Sequence, residues 1–343
     1  MSKKLKWGIL STGRIARTFA RDLRESRTGE LIAIGSRTQE AAEQFGEEFG
    51  VQYRYPTYAG VLENPEVEAV YICPINPPHA EWAIQAAEAK KHILLEKPFT
   101  VNAREAEQVI EAARRNDVFL MEAFMYRCHP QTKRLVELIR EGAIGQVRII
   151  QATFSFYAEL PADSRILEAR LGGGGILDVG CYCVSMCRLV AGAAMGRDFA
   201  EPIELHALGR LREDGGVDDF TVGIAKFPGD VVAQFSCGVG VEQDNTVRIY
   251  GTEGHIFLRE PWVPGPEGQP ACIHLRKRGE QKGQEIMVPD GRRLYTIEAD
   301  LVAENIANRQ APPPAMTWED TLGNMRMLDH WRSEIGLSYD FEK

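Results

Sequence analysis

The sequence predicts an α/β protein of two domains. A doubly wound parallel sheet comes first, followed by an α+β domain with a large, mostly antiparallel sheet open on one face. Three observations carry this. In the first third, short apolar runs alternate with amphipathic stretches of roughly 10–15 residues, the pattern of parallel strands joined by right-handed helical crossovers. From about residue 147 the apolar residues recur instead with a period of two, which marks strands with one buried face. A chain of 343 residues is also long enough for two cores of ordinary size. The pattern changes near residue 125, giving domains of 1–125 and 126–343.

Taken in order, Lys6–Leu10 reads as a strand, Arg14–Arg24 as a helix and Leu31–Ser36 as a second strand. Thr38 can cap a helix running to about Phe49. Val67–Cys73 is the next buried strand, His79–Ala89 a helix, and Lys91–Leu95 a strand that runs into Glu96-Lys97-Pro98. Ala103–Arg115 places Ala106, Val109, Ile110 and Ala113 on one helical face, and Phe119–Ala123 is a further strand. After a helix near Gln131–Glu141 come the strand-like segments Val147–Phe156, Ile203–Leu211, Phe220–Phe227, Val231–Ser236, Thr246–Tyr250 and His255–Leu258. In Val231–Cys237 the odd positions are Val, Ala, Phe and Cys, while Gln234 and Ser236 face the other way. Tyr295–Asn308 and Thr317–Ile335 read as helices separated by the rigid connector Pro312-Pro313-Pro314, with Thr317 and Asp320 forming a capping signal.

Composition narrows the class. Hydrophobic content of 44% with 26% charged residues is that of a soluble globular protein. A net charge of -9 without a basic stripe argues against a nucleic-acid partner. No stretch approaches the ~20 apolar residues that span a bilayer, so no membrane association is expected. Lys3, Lys4 and Lys6 imitate the charged start of a signal peptide, but Ser11, Gly13 and Arg14 break the apolar run that follows, so the expected compartment is the cytoplasm. The seven cysteines are odd in number and read as buried reduced thiols. Cys181, Cys183 and Cys187 cluster without paired ligand spacing, so no metal site is expected.

The opening segment carries the first chemical signal. A dinucleotide site needs G-x-G-x-x-G/A between a strand and a helix, and Ser11, Gly13 and Ala16 stand at those positions. Gly13 lets backbone N–H groups approach a pyrophosphate at the positive end of the helix. Ser11, Thr12, Gly13, Arg14 and Ile15 are therefore candidate cofactor ligands. The second strand ends in Ser36-Arg37, with no carboxylate for a ribose 2′-hydroxyl. A hydroxyl and a guanidinium at that place match a 2′-phosphate, so NADP is expected and NAD is possible. Lys97, at the carboxyl end of a parallel strand, is aimed at a ligand.

Beyond these, several motifs resemble the family of glucose–fructose oxidoreductase and inositol dehydrogenase over nearly the whole chain. Glu96-Lys97-Pro98 is one. Pro74-Ile75-Asn76-Pro77-Pro78-His79 is similar to the family's loop bordering the nicotinamide. Glu122-Ala123-Phe124-Met125-Tyr126-Arg127 resembles its hinge. The run Gly172 to Gly175 followed by Ile176-Leu177-Asp178-Val179-Gly180-Cys181-Tyr182 resembles its substrate motif, and Gly251-Thr252-Glu253-Gly254 and Leu328–Arg332 are similar too. Tyr182, where inositol dehydrogenases typically carry histidine, moves the chain toward the dihydrodiol, xylose and glucose–fructose branch.

The resemblance implies hydride transfer between a nicotinamide and a sugar, polyol or trans-dihydrodiol hydroxyl carbon. Tyr182 is the implied acid/base and Lys97 the cation that lowers its pKa, although the reverse assignment is open. Asp178 would bind a substrate hydroxyl or orient Lys97, or cap a helix. Its four-residue spacing from Tyr182 puts both on one helical face. Pro74, Asn76, His79, Glu96 and Arg127 are implied near the cofactor, and the glycine run is either a ligand approach or a surface loop. Rival readings are a keto-sugar or tetrapyrrole reductase and a non-catalytic nucleotide sensor. The open sheet face implies a homodimer or homotetramer.

Overall fold

The computed structural model describes residues 3–157, 159, 161, 164–213, 216–265 and 269–342. The chain forms two compact units. The first comprises the chain to Thr100, Arg104–Cys128 and Arg292–Thr321; the second comprises Val101–Ala103, His129–Gly291 and the chain from Leu322 onward. The sequence pattern alone assigns all of 126–343 to the second domain, whereas Arg292–Thr321 returns to the first. The reason is polar anchoring. In α9 (Leu294–Asn305) Thr296 donates to the Asp22 carbonyl at 2.7 Å, and Asp300 accepts from Ser26 and Thr28, each at 2.6 Å.

The first unit holds a six-stranded sheet of β1 (Leu5–Leu10), β2 (Gly29–Gly35), β3 (Tyr53–Tyr55), β4 (Ala69–Ile72), β5 (His92–Glu96) and β6 (Leu120–Ala123). Its order is β3-β2-β1-β4-β5-β6, and every pairing is parallel. This is the doubly wound order, whose direction reverses between β1 and β4 and opens a crevice at the carboxyl ends there. Crossovers are supplied by α1 (Arg14–Leu23), α2 (Gln39–Phe49), α3 (Tyr58–Glu63), α4 (His79–Glu88) and α5 (Ala103–Asn116). Thr38 caps α2 by accepting from the Ala41 amide at 3.2 Å. The edge pair β3 and α3 escapes sequence reading because three half-buried residues are too few to show a period. The short α6 (Met125–Cys128) ends the unit's second segment.

In the second unit the strands are β7 (Val147–Ser155), β8 (Glu204–Leu211), β9 (Asp218–Phe227), β10 (Val231–Gly238), β11 (Val247–Gly251), β12 (Gly254–Leu258), β13 (Ala271–Lys277) and β14 (Gln284–Val288). They lie in the order β14-β13-β12-β11-β7-β10-β9-β8; only β7 with β10 is parallel. Sequence reading missed the last two strands: β13 alternates buried Ala271, Ile273 and Leu275 with half-buried residues, and β14 is largely exposed at the edge. Residues of β9 alternate buried and exposed along its length, so one face belongs to the core. α7 (Pro130–Arg140) and α8 (Cys181–Ala194) belong to this unit, and α8 packs on β7 and β10. α10 (Trp318–Glu334) begins with the Asp320 amide donating to Thr317 at 3.2 Å, as the capping signal requires.

One expectation is corrected. Within the largely helical stretch Ala169–Ala194, 26 residues long, one 18-residue window has a mean hydropathy of 1.5, enough by length and composition to cross a bilayer. That window is wholly buried and is the core helix of its unit. Cys181, Cys183 and Cys187 lie in it as buried free thiols.

Candidate active site

The cofactor half is built at the carboxyl ends of β1, β2, β4 and β5. Gly13 is the N-cap of α1 and makes no side-chain cap bond, which leaves the first-turn amides for an outside acceptor. A Cβ at Gly13 would approach only the Ser11 hydroxyl, at 3.7 Å, so the cradle is open. Ser11 takes the place of the first fingerprint glycine and adopts a φ of 117°, a conformation that glycine reaches without strain. Thr12, Arg14 and Ile15 continue this exposed to half-buried turn, and the Thr12 and Ser36 hydroxyls lie 3.4 Å apart. Arg37 projects into solvent at the end of β2, free of any acidic neighbour in the strand end that precedes it. These residues fit a dinucleotide with a phosphorylated ribose.

Lys97 is half-buried at the end of β5, and its turn is held from two sides. The buried Glu96 carboxylate accepts from the Lys97 amide at 3.1 Å and from the Tyr71 hydroxyl. The buried Glu122 carboxylate accepts from the Phe99 amide at 3.1 Å and from Thr321 at 2.9 Å. Burial pushes the Glu122 carboxyl up to about 8. Glu96 thus shapes the lysine turn from inside the fold. His79 is 1% exposed and ties two loops together, its ring nitrogens lying 2.9 Å from the Pro98 carbonyl and 3.2 Å from that of Pro74. Asn76 is buried beside the half-buried Pro74 and accepts the His79 amide at its carbonyl at 3.0 Å. Arg127 is also buried, where its guanidinium pairs with Asp320 and donates to the Pro314 carbonyl at 2.6 Å.

Within the second unit, the glycine run leads into a single π-helical turn, Ile176–Gly180, which passes directly into α8. Such turns concentrate at functional sites because they shift the side chains that follow. Asp178 sits in the turn and Tyr182 in the first turn of α8, 8% and 5% exposed. Arg165 donates to Asp178 at 3.2 Å. Tyr182 is walled by Phe154 and Trp262, whose ring centroids lie 5.1 Å and 5.8 Å away. Trp262 stacks on Phe154 at 5.6 Å and is fixed by its indole N–H donating to the Thr153 carbonyl at 2.9 Å. Sequence reading missed Arg165 and Trp262. The only local signals were an arginine ahead of the glycine run and a tryptophan after Pro261.

These two halves match known proteins throughout. The model described as "Oxidoreductase family, NAD-binding Rossmann fold" matches residues 5–124, and the GFO/IDH/MocA C-terminal domain matches residues 132–257. A trans-1,2-dihydrobenzene-1,2-diol dehydrogenase of Mus musculus is 34% identical over 348 residues, covering 99% of each chain. The solved 3-ketoreductase KijD10 of Actinomadura kijaniata, in complex with NADP and TDP-benzene, superposes with a TM-score of 0.85 at 26% identity, covering 97% of this chain and 98% of that one. An aldose-aldose oxidoreductase of Caulobacter crescentus shares the fold, with a TM-score of 0.84 at 24% identity over 97% of both chains. The chain belongs to the glucose–fructose oxidoreductase/inositol dehydrogenase (GFO/IDH/MocA) family of NAD-binding oxidoreductases.

Proposed function

We propose that this oxidoreductase prefers NADP and acts on the CH–OH carbon of a sugar, polyol or trans-dihydrodiol, with Tyr182 and Lys97 as its acid/base pair. The observation that carries the reading is the placement of Asp178 and Tyr182 on consecutive turns of one buried helical segment against an aromatic wall. A phenol there, beside a carboxylate, can give or take the hydroxyl proton of a substrate as its carbon changes oxidation state. The nicotinamide, when bound, supplies or accepts the hydride. Asp178 accepts a hydrogen bond from a substrate hydroxyl, and Arg165 donates to that carboxylate. Lys97, at the end of β5, provides the cation that favours the phenolate. Ser36 and Arg37 take the 2′-phosphate, while Thr12 to Ile15 take the pyrophosphate at their amides. Asn76, Pro74 and His79 shape the nicotinamide end, and Glu96 and Arg127 hold the backbone that carries the site.

The relatives work in both chemical directions by name, as a dehydrogenase and as a ketoreductase. The same pair of groups serves either, so the direction follows the substrate and the cofactor ratio. Tyr182→Phe tests the assignment. Its expected effect is a fall in kcat of about 10²-fold or more, the scale of a lost acid/base, with NADPH affinity by fluorescence within twofold. Near-normal turnover would refute the role of Tyr182, and Lys97→Met then shows whether the lysine moves the proton.

The protein is further proposed to form a homodimer or homotetramer through the open sheet face. There Leu208, Val222, Val232 and Ile149 are 84%, 44%, 43% and 46% exposed, and they pair across strands, Val222 opposite Leu208 and Val232 opposite Ile149. Exposed apolar residues grouped on one sheet face in this way are normally covered. Light scattering after size exclusion tests it, and a monomer at micromolar concentration would refute it. Seven free thiols fit a reducing, cytoplasmic compartment.

A further inference from the structure

Beneath the glycine run lies a carboxyl group that the proposed chemistry does not use. Asp218, at the start of β9, is fully buried. Its Oδ2 accepts the Ile176 amide at 2.8 Å, at the first residue of the π-helical turn. Its Oδ1 has no hydrogen-bond partner among the described residues and is closed off from solvent. The glycines above it are shaped around this group. Gly174 has a φ of 102°, and a Cβ there would lie 2.2 Å from Oδ1; at Gly175 a Cβ would lie 3.1 Å from Oδ2. On the other side of the run, the buried Tyr339 hydroxyl donates to the Gly173 carbonyl at 2.6 Å. The turn carrying Asp178 and Tyr182 is thus held by one carboxyl and one phenol.

We propose that Asp218 is a positioning residue whose buried carboxyl holds the Gly172–Gly175 turn, and with it Asp178 and Tyr182, and whose ionisation loosens that turn. This rests on Asp178 and Tyr182 being the substrate-side groups. With one oxygen unpartnered among the described residues and closed off from solvent, the closed turn favours the protonated form, and ionisation favours the state in which water reaches the carboxyl. Burial raises the Asp218 carboxyl to about 7, against the pull of the amide bonds and of the Arg332 guanidinium on α10. The other groups facing it are the Cys237 thiol of β10 and the Tyr339 phenol, both pushed up by burial, with the Asp178 charge also felt at Cys237. Its neighbour Asp219 is engaged elsewhere, with Arg210 at 3.1 Å and Arg212 at 3.4 Å. The turn is therefore held below neutral pH and loosened above it.

Hydrogen–deuterium exchange on the full chain, without ligand, tests the device. Protection of the Gly175 and Ile176 amides, corrected for intrinsic exchange, is expected to fall tenfold or more between pH 6 and 8.5. In Asp218→Asn it should not vary with pH. Protection independent of pH in the wild-type chain would overturn the proposal, and that measurement stands even if the variant does not fold. Turnover of the best substrate from an aldose and trans-dihydrodiol panel should show a step in kcat near pH 7 that Asp218→Asn lacks. A step retained in the variant would sever the link to catalysis. Should Tyr182→Phe keep its turnover, the acid/base reading fails while the exchange result is untouched, so the two failures are distinguishable.

Discussion

In the first unit, the side chains suited to a cofactor all stand within a few residues of a strand's carboxyl end: Ser11 to Ile15 after β1, Ser36 and Arg37 after β2, Pro74 to His79 after β4, Lys97 after β5. In the second, the turn bearing Asp178 and Tyr182 is held by residues from Arg165 to Tyr339, spread over some 170 positions. Topology produces the contrast. A parallel sheet delivers every strand end to one edge, so local motifs suffice to assemble a site there. A mostly antiparallel sheet covered by helices on one face has no such edge, and its site must be propped by distant side chains. The first half should therefore be modular under mutation and the second cooperative.

The largest effect expected on that contrast comes from Arg37→Ala. Removing one exposed guanidinium should weaken NADPH about 10- to 100-fold, the scale of a lost charge-assisted phosphate contact, and leave NADH within twofold. Fluorescence titration with both cofactors reads it, and equal losses for the two would show that Arg37 does not meet a 2′-phosphate. Thermal stability should not move, because Arg37 is exposed. Tyr339→Phe should behave in the opposite way. It strands the buried Gly173 carbonyl at a cost of about 1–3 kcal/mol and should lower kcat several-fold, with NADPH affinity unchanged. A loss of stability with full turnover would mean the tail props the fold but not the site.

This contrast also explains what could be read in the chain. The strand and helix alternation, the phosphate turn and Lys97 lie in short local patterns, so they are legible one segment at a time. Tyr182 and Asp178 are legible through their four-residue spacing. Asp218, Tyr339 and Trp262 are not, since each gains its role only from a partner more than 40 positions away or from a stacking geometry. Glu122 is intermediate. It was visible in the hinge motif, but its grip on the Phe99 amide depends on β5 and β6 being neighbours. The return of Arg292–Thr321 to the first unit is hidden for the same reason, because its anchors on Asp22, Ser26 and Thr28 lie at the far end of the chain.

Titration sharpens the comparison, since each half buries a carboxyl beside its key turn. Glu122 has a folded pKa of about 8 and Asp218 of about 7, both above their ordinary values of 4.5 and 3.8. The native state therefore binds more protons than the unfolded chain between roughly pH 4 and 8, and stability falls as pH rises through that window. Glu122→Gln should flatten the fall. The amide can still accept from Phe99 while its NH₂ donates to the Thr321 hydroxyl, so both bonds persist without a charge to bury. The melting temperature of the variant at pH 8 is expected to exceed that of wild type by several degrees, with the two converging at pH 5. An unchanged pH slope would show that Glu122 is ionised in the fold. Because the carboxyl serves the lysine turn, cofactor affinity is the second reading, and it should hold within twofold.

The smallest effect belongs to Ser11, and it probes how modular the first half is. At a φ of 117° a serine is strained by about 1 kcal/mol relative to a residue in an allowed well. Glycine removes that strain but adds about 0.5–1 kcal/mol of unfolded-chain entropy. It also deletes the hydroxyl, whose contact with the Gly13 amide is long at 3.4 Å. These terms nearly cancel, so Ser11→Gly should shift the melting temperature by no more than about two degrees. NADPH affinity should stay equal or tighten, because the restored glycine lets the amides of Thr12 and Gly13 move toward a phosphate. A marked loss of affinity would mean that the Ser11 hydroxyl is itself a ligand, and that this turn departs from the glycine fingerprint for a functional reason.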